Sequence, residues 1–436
     1  MSEATLDFSN LNPRDYTRFF LSDNPFPAIP VPDNAPSIMV DREDTLKAIQ
    51  DVIVDALRTG KSQTLVMQGN IGSGKSHLLK FTKFKINSDL GNNRENSAIA
   101  AYVTPGKEFF EFYSQTAKEV TDTIVKNASL VILSNSILAD IKAFTSRITD
   151  PSRLSSVTRF VAALKDDPRS ASQITDISYP YIDYLADLSE SQASKSNYKL
   201  KDFPKACMRM IDQTSVASRW IRGEPLSKFE KDTLGVTGEI DSYNAIDAFH
   251  DLRLFLNQGG YRVLFILFDE LEKVSELPPQ QKSHYFDTLR NMIDENVEGA
   301  GWLATVTPVG FAEMQASGHP LYRRFLTNNK HLSAFSQDMS VALATEYMKR
   351  ARQEYLRASG QTERAMSEKI LQFKGADVAV FPFSLDAVKL VCDLNLGNIG
   401  DMLTSFHQVL NEAYDKSRWY INDLDFVRRI IKPAES

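Results

Sequence analysis

The sequence predicts an α/β fold: a core with a five-stranded parallel sheet, a large helical insertion, and a C-terminal α-helical lid. Three observations carry that prediction. The stretch "QGNIGSGKSHLLK", from Gln68 to Lys80, is a glycine-rich loop set between a strand pattern and a helix pattern. The run "VLFILF", from Val263 to Phe268, is unbroken and apolar, as in a strand buried on both faces of a parallel sheet. From Met339 onward the pattern is helical throughout.

The elements follow in chain order. Residues 1–38 form an arm with Pro13, Pro25, Pro27, Pro30, Pro32 and Pro36, and proline at that density predicts an extended path. "DREDTLKAIQDVIVDALRTG" predicts a helix, with Leu46, Ile49, Ile53 and Leu57 at helical spacing and Gly60 closing it. "SQTLVMQ" is the first strand, and "KSHLLKFTKFKI" the helix after the glycine loop. "SAIAAYVTP" is the second strand, "YRVLFILFDE" the third, "GWLATVTP" the fourth and "KHLSAFS" the fifth. The connection from the second strand to the third is too long for one crossover helix, so residues 110–250 are expected to be a helical insertion. An α/β domain over residues 39–338 and a helical lid over 339–436 complete the expected division.

The bulk numbers narrow the function classes. The chain has 436 residues, 42% of them hydrophobic and 24% charged, which suits a globular protein with a sizeable core. Its formal net charge of −6 excludes a polycation that coats nucleic acid, so any such contact must be local. Cys207 and Cys392 are too far apart in sequence for a metal knuckle or a redox pair, and the six histidines show no ligand spacing. The acidic, polar opening "MSEATLDFSNLNPRDY" has no apolar core of a signal peptide, and no apolar run approaches the roughly 20 residues of a membrane span. A cytoplasmic protein without membrane contact is expected.

Gly69, Gly74, Lys75 and Ser76 fit the pattern G-x-x-x-x-G-K-[ST]. In such a loop, Gly69, Asn70, Ile71, Gly72, Ser73 and Gly74 turn backbone N–H groups toward phosphate oxygens, and the next helix adds its positive end through Lys75, Ser76 and His77. Lys75 would meet the β- and γ-phosphates and Ser76 a Mg²⁺ ion. Asp269, at the end of the third strand, is the expected partner in the metal shell, and Glu270 beside it would polarise the attacking water. Glu272 reads as a further acid or a solvated helix start. Thr305 and Thr307 end the fourth strand, and Thr307, just before Pro308, is the favoured contact to phosphate or water. Thr104 ends the second strand and could restrain Glu270.

Arg323 and Arg324 precede the fifth strand, and guanidinium suits charge building on phosphoryl oxygens. Their place in the chain points to action on a neighbouring subunit's nucleotide. Residues 193–228 hold eight Lys or Arg against three acids, interleaved with Tyr198, Phe203 and Trp220. That composition fits either a DNA-tracking surface or a solvated helical face.

These motifs in this order resemble the AAA+ ATPases, most closely the branch with replication initiators, transposition regulators and prokaryotic defence ATPases. The resemblance implies a P-loop AAA+ core that uses ATP and Mg²⁺ and works as a homo-oligomer. "VDREDTL" is similar to the element beside the adenine pocket, which would put Arg42 and Glu43 near the base. "LATVTP" resembles the sensor-1 strand, "YRRF" the arginine-finger region, and "LNLGNIGDMLTSFHQVLNEAY" the lid helix that carries sensor 2. There the family has arginine where this chain has Gly400, so a sensor-2 arginine is missing. A narrower similarity, over residues 217–275, is to the ATP-binding proteins of BREX-type phage-exclusion systems, which implies partner proteins of the same system. The expected function is an Mg-ATP-hydrolysing switch or motor in a DNA transaction. The rival is an ATP-gated scaffold with little turnover. A P-loop kinase fits less well, because adjacent Asp269 and Glu270 favour water as acceptor.

Overall fold

The computed structural model describes residues 14–28, 39, 42–91, 97–146, 154–166, 197–296, 298–316, 320–326 and 328–432, with isolated positions between 188 and 194. Most of the arm expected over 1–38, and much of the basic run's first part, lie outside these residues. The chain divides into two compact units. One comprises Asp44–Gln68 and Leu79–His331, and the other Met1–Glu43, Gly69–Leu78 and Leu332–Ser436. Relative to the expected boundaries, the arm and the glycine loop group with the helical lid.

The first unit contains the sheet. Helix α1 (Glu43–Thr59) precedes β1 (Gln63–Gly69), and α2 (Lys75–Lys85) precedes β2 (Ala98–Val103). Helix α1 buries Thr45, Ile49, Val52, Ala56 and Leu57, leaving Leu46 and Ile53 half-buried. The inward face includes small residues that a purely hydrophobic template passes over. Seven described helices follow: α3 (Phe109–Glu119), α4 (Asp122–Ala139), α5 (Ile141–Ser146), α6 (Leu154–Asp166), α7 (Asp202–Met208), α8 (Thr214–Ile221) and α9 (Lys228–Leu234). Then come α10 (Ala245–Gln258), β3 (Val263–Phe268), α11 (Pro279–Glu295), β4 (Ala300–Val306), α12 (Pro308–Ala316), α13 (Pro320–Leu326) and β5 (Asn329–Leu332).

The five strands form one parallel sheet in the order β2-β3-β4-β1-β5. All five expected strands are present. Every residue of β3 and β4 is buried, as the apolar run requires. Register puts Phe265 opposite Gly301, where a Cβ would fall 2.4 Å from the Phe265 ring, so only glycine fits. Edge strand β2 is closed by side chains. The Asn87 amide exchanges two hydrogen bonds with Ala100, at 2.8 and 3.1 Å, and Glu119 accepts from the Tyr102 N–H at 3.1 Å.

The described part of the insertion shares the sheet's core. Phe112 on α3 meets Phe268 on β3 at 5.5 Å and Phe249 on α10 at 6.0 Å, and Phe249 meets Trp302 on β4 at 5.8 Å. Phe203 and Trp220 lie in this cluster, almost wholly buried, and the Tyr198 hydroxyl donates to Gln258 at 2.8 Å. The expectation that these rings serve a nucleic-acid surface is therefore corrected: aromatic rings buried in a core cannot stack on bases. Lys205 pairs with Glu190 at 2.5 Å. Asp251 is fully buried and accepts from the Lys199 and Leu200 N–H groups at 2.9 and 2.7 Å, and burial pushes its carboxyl up to about 7.

The second unit is helical. Helices α14 (Gln337–Ser359), α15 (Glu363–Ile370), α16 (Leu385–Leu394), α17 (Ile399–Asp415) and α18 (Leu424–Ile431) supply most of it. The described arm residues are not a plain extended strap. Tyr16–Phe19 form a 3₁₀ turn, and Tyr16, Phe19, Leu21 and Phe26 enter this unit's core. Phe26 stacks on Phe406 at 4.8 Å and on Tyr347 at 5.6 Å. Proline density predicted the missing helix, but burial of the aromatics decides the path.

Candidate active site

The glycine loop leaves the carboxyl end of β1 at Gly69 and returns as α2 at Lys75. Gly72 and Gly74 have φ of +77° and +88°, the left-handed region that other residues avoid. Space is as tight as conformation. A Cβ on Gly69 would fall 2.4 Å from Ser73 Oγ, and one on Gly72 only 1.9 Å from Asn398 Oδ1. Asn398 caps α17 by accepting from the Asp401 N–H at 3.2 Å, and the Ile399 N–H donates to the Gly72 carbonyl at 2.9 Å. The start of the lid helix therefore rests on the loop through Asn398 and Ile399, with no basic side chain there.

Lys75 is buried, and its Nζ donates to the Gly69 and Asn70 carbonyls at 2.7 and 3.0 Å. Ser73 Oγ is buried with no hydrogen-bond partner among the described residues. Ser76 and His77 are half-buried in the first turn of α2, while Asn70 and Ile71 are exposed. A left-handed loop, a buried ammonium on exchangeable carbonyls and an orphan hydroxyl together fit a polyphosphate. Arg42, expected near an adenine base, lies elsewhere. It is buried over the Phe335 ring at 4.9 Å and donates to the Ser73 and Ser333 carbonyls, both at 3.0 Å. It braces the loop from behind. Glu43 beside it is exposed.

At the carboxyl end of β3, within the sheet unit, Asp269 is almost fully buried. Its Oδ1 accepts from Thr305 Oγ1 at 2.5 Å and from the Glu270 N–H at 3.1 Å, and its Oδ2 accepts from the Tyr102 hydroxyl at 2.5 Å. The Glu270 N–H also reaches Thr305 Oγ1, at 3.1 Å. Glu270 has φ +54° and ψ +47°, unusual for a residue with a side chain. The shared bonds from its N–H hold that conformation and turn the carboxylate outward, where it pairs with Lys273 Nζ at 2.5 Å. The Glu270 carboxylate raises the Lys273 ammonium above its ordinary value.

The threonines divide otherwise than the sequence favoured. Thr305, fully buried, is the one on Asp269. Thr307 Oγ1 accepts from the Gly310 N–H at 3.2 Å, capping α12, and its N–H donates to Glu272 at 3.2 Å. Proline after Thr307 marks a helix start, which is why its hydroxyl is used as a cap. Thr104 bonds Gln115 through both its N–H and its hydroxyl. Sequence reasoning missed Tyr102 and Lys273. Strand alternation puts Tyr102 and Thr104 on one face, but no local signal marks which acid they meet.

Arg323 and Arg324 sit on α13, by the amino end of β1: Thr64 Oγ1 donates to the Arg324 carbonyl at 2.8 Å. Arg324 makes a two-point pair with Asp294, at 2.7 and 3.0 Å, which raises the pKa of the guanidinium further. Arg323 is exposed and pairs with no carboxylate among the described residues. Both line an open groove with Ser62, Gln63, Thr64 and Asn328.

Comparison with known proteins bears out both resemblances. Residues 192–370 match the model of the BREX system ATP-binding protein BrxC/D family, which takes in the segment of the narrower resemblance. No curated protein matches the sequence. Among solved structures, the Aeropyrum pernix ORC2 protein in ADPNP-ADP complexes is 12% identical, with 93% of this chain and 72% of that chain covered and a TM-score of 0.49. The Aeropyrum pernix ORC1 protein in complex with DNA is 11% identical (92% and 67% covered, TM-score 0.44). The Drosophila ORC bound to DNA is 10% identical (99% and 70% covered, TM-score 0.45). The chain carries the ATP-binding signature of its matched family on an AAA+ P-loop fold. No helix among the described residues is long and apolar enough to cross a membrane.

Proposed function

We propose that the protein is an Mg-ATP-hydrolysing AAA+ ATPase that acts as a homo-oligomeric switch in phage defence, on a DNA transaction and with partner proteins of the same system. The observation that carries this reading is the pairing of two structures at one edge of the sheet. The left-handed glycine loop follows β1, and a buried aspartate with a strained glutamate follows β3, parallel to it. The family match over residues 192–370 supports ATP binding and the defence setting.

Bound Mg-ATP supplies the transferable phosphoryl group and the cation that offsets its charge. The chain's residues do the rest by position and charge. Lys75 exchanges its loop carbonyls for phosphate oxygens, and Ser76 and Asp269 hold the metal's surroundings. Glu270, once free of Lys273, orients and polarises water. Arg323 acts on a neighbouring subunit. Its backbone lies near the amino end of β1, whereas the loop starts at the carboxyl end, about 20 Å away along a seven-residue strand. Glu270→Gln should retain ATP binding and lose turnover; full hydrolysis in that variant would sink the assignment.

The lid favours a second reading. Asn398 and Ile399 meet the loop where the family carries arginine two residues on, and this chain has Gly400. A lid without that cation fits an ATP-gated scaffold with slow turnover. An ATP-dependent change in mass, with no stimulation of hydrolysis by DNA, would select it.

A further inference from the structure

A carboxylate offers about four lone-pair positions. On Asp269 three are taken: two on Oδ1, by Thr305 Oγ1 and the Glu270 N–H, and one on Oδ2, by the Tyr102 hydroxyl. One remains, on Oδ2. Tyr102 comes from β2, whose register with β3 puts it opposite Leu267, two residues before Asp269. The Lys80 ammonium lies 5.6 Å from the centre of its ring, within reach of a cation–π contact. Neither the arm nor the lid contributes to this cluster; it belongs wholly to the sheet unit.

From this geometry we infer that Tyr102 is a positioning residue for the metal-shell carboxylate, resting on the ATPase reading above. With Thr305 fixing one oxygen, a lone aspartate could still rock about its terminal torsion, which is broad for sp³–sp² bonds. The Tyr102 hydroxyl pins the second oxygen and limits Asp269 to one further hydrogen bond. A carboxylate so occupied meets a hydrated divalent cation through one water, and its orientation is set before the cation arrives. Partners of this kind typically change metal affinity by about 10- to 100-fold when removed.

Tyr102→Phe keeps the ring and removes only the hydroxyl. Binding of a fluorescent ATP analogue is measured against Mg²⁺ concentration, and again in EDTA, for the wild type, Tyr102→Phe, Asp269→Asn and the double variant. Tyr102→Phe should raise the Mg²⁺ concentration for half-maximal enhancement by about 10-fold. Its binding in EDTA and its melting temperature should match the wild type. The double variant should shift no further than Asp269→Asn alone, because the hydroxyl acts through that carboxylate. An unshifted Mg²⁺ midpoint in Tyr102→Phe, beside a wild type that responds to Mg²⁺, overturns the positioning role. A loss that is equal in EDTA also overturns it, since the hydroxyl would then be merely structural. A wild type that binds the analogue with no Mg²⁺ response overturns the underlying ATPase reading instead.

Discussion

The two ends of β1 are built for different work. Its carboxyl end passes into a loop held by backbone conformation, with Gly72 and Gly74 left-handed and Lys75 folded onto two carbonyls. Its amino end lies under α13, where two neighbouring arginines differ in everything but identity. Arg324 is tied to Asp294 at two points, and Arg323 is exposed and unpaired by any carboxylate among the described residues. The acids after β3 belong with the carboxyl end, since β1, β4 and β3 run parallel. Phosphate-binding and water-activating groups thus gather at one edge, and the free guanidinium at the other. A chain arranged this way holds a whole set of charges but cannot use all of them on one nucleotide.

The largest effect should come from breaking the amino-end station. Arg323→Ala should lower turnover by about 10³-fold, in the range of arginine fingers, with ATP binding retained. Mixing Arg323→Ala with Lys75→Ala chains should restore part of the activity, because each lacks what the other keeps. A mixture as inactive as its components would place Arg323 outside the neighbour's site.

The next effect tests how the acid pair is held. Thr305→Val removes the hydroxyl that joins Asp269 Oδ1 to the Glu270 N–H. Leaving those buried groups short of a partner costs about 1–3 kcal/mol, which corresponds to roughly 10- to 100-fold in turnover if borne by the active conformation. Thr307→Val, which touches only the cap of α12, should cost about 1 kcal/mol of stability and leave turnover near wild type. Steady-state rates and thermal melts of the pair separate the two threonines.

What was legible in the sequence follows the same divide. The glycine loop, the five strands and the acids at the end of β3 were readable because backbone demands and buried strands leave local patterns. The partners of those residues were not. Tyr102 lies 167 positions from Asp269, and only the pairing of β2 with β3 brings them together. The choice of Thr307 failed for a similar reason: proximity to the strand's end was visible, but the competing demand of a helix cap was not weighed. Arg42 was placed by resemblance, and the structure gives it the Ser73 and Ser333 carbonyls instead. The aromatics of the basic run showed charge between rings, while their burial depended on a core assembled from α3, α10 and the sheet.

A smaller effect should come from Lys273. Its pair with Glu270 is partly exposed, at 48% and 42% for the two side chains, so it is worth about 0.2–1 kcal/mol. Lys273→Met should free the Glu270 carboxylate and raise basal turnover by no more than about 5-fold, with the gain fading as salt screens the wild-type pair. Slower hydrolysis in the variant would mean that Lys273 serves the active arrangement instead of restraining it.

The smallest effect is expected at Arg324, and it decides between the two arginines. The Asp294 pair is two-pointed but exposed at its arginine end, so Arg324→Ala should cost at most about 1 kcal/mol of stability. Turnover should stay within about twofold of wild type, because a guanidinium already committed to a carboxylate adds little charge to a distant phosphate. Arg324→Lys should behave the same way, since the ammonium keeps the charge while losing the fork. If Arg324→Ala instead matched the collapse expected of Arg323→Ala, the Asp294 pair would be a resting tether that opens on assembly. The contrast between the two residues would then describe two states of one station, with both guanidinium groups delivered to the neighbour.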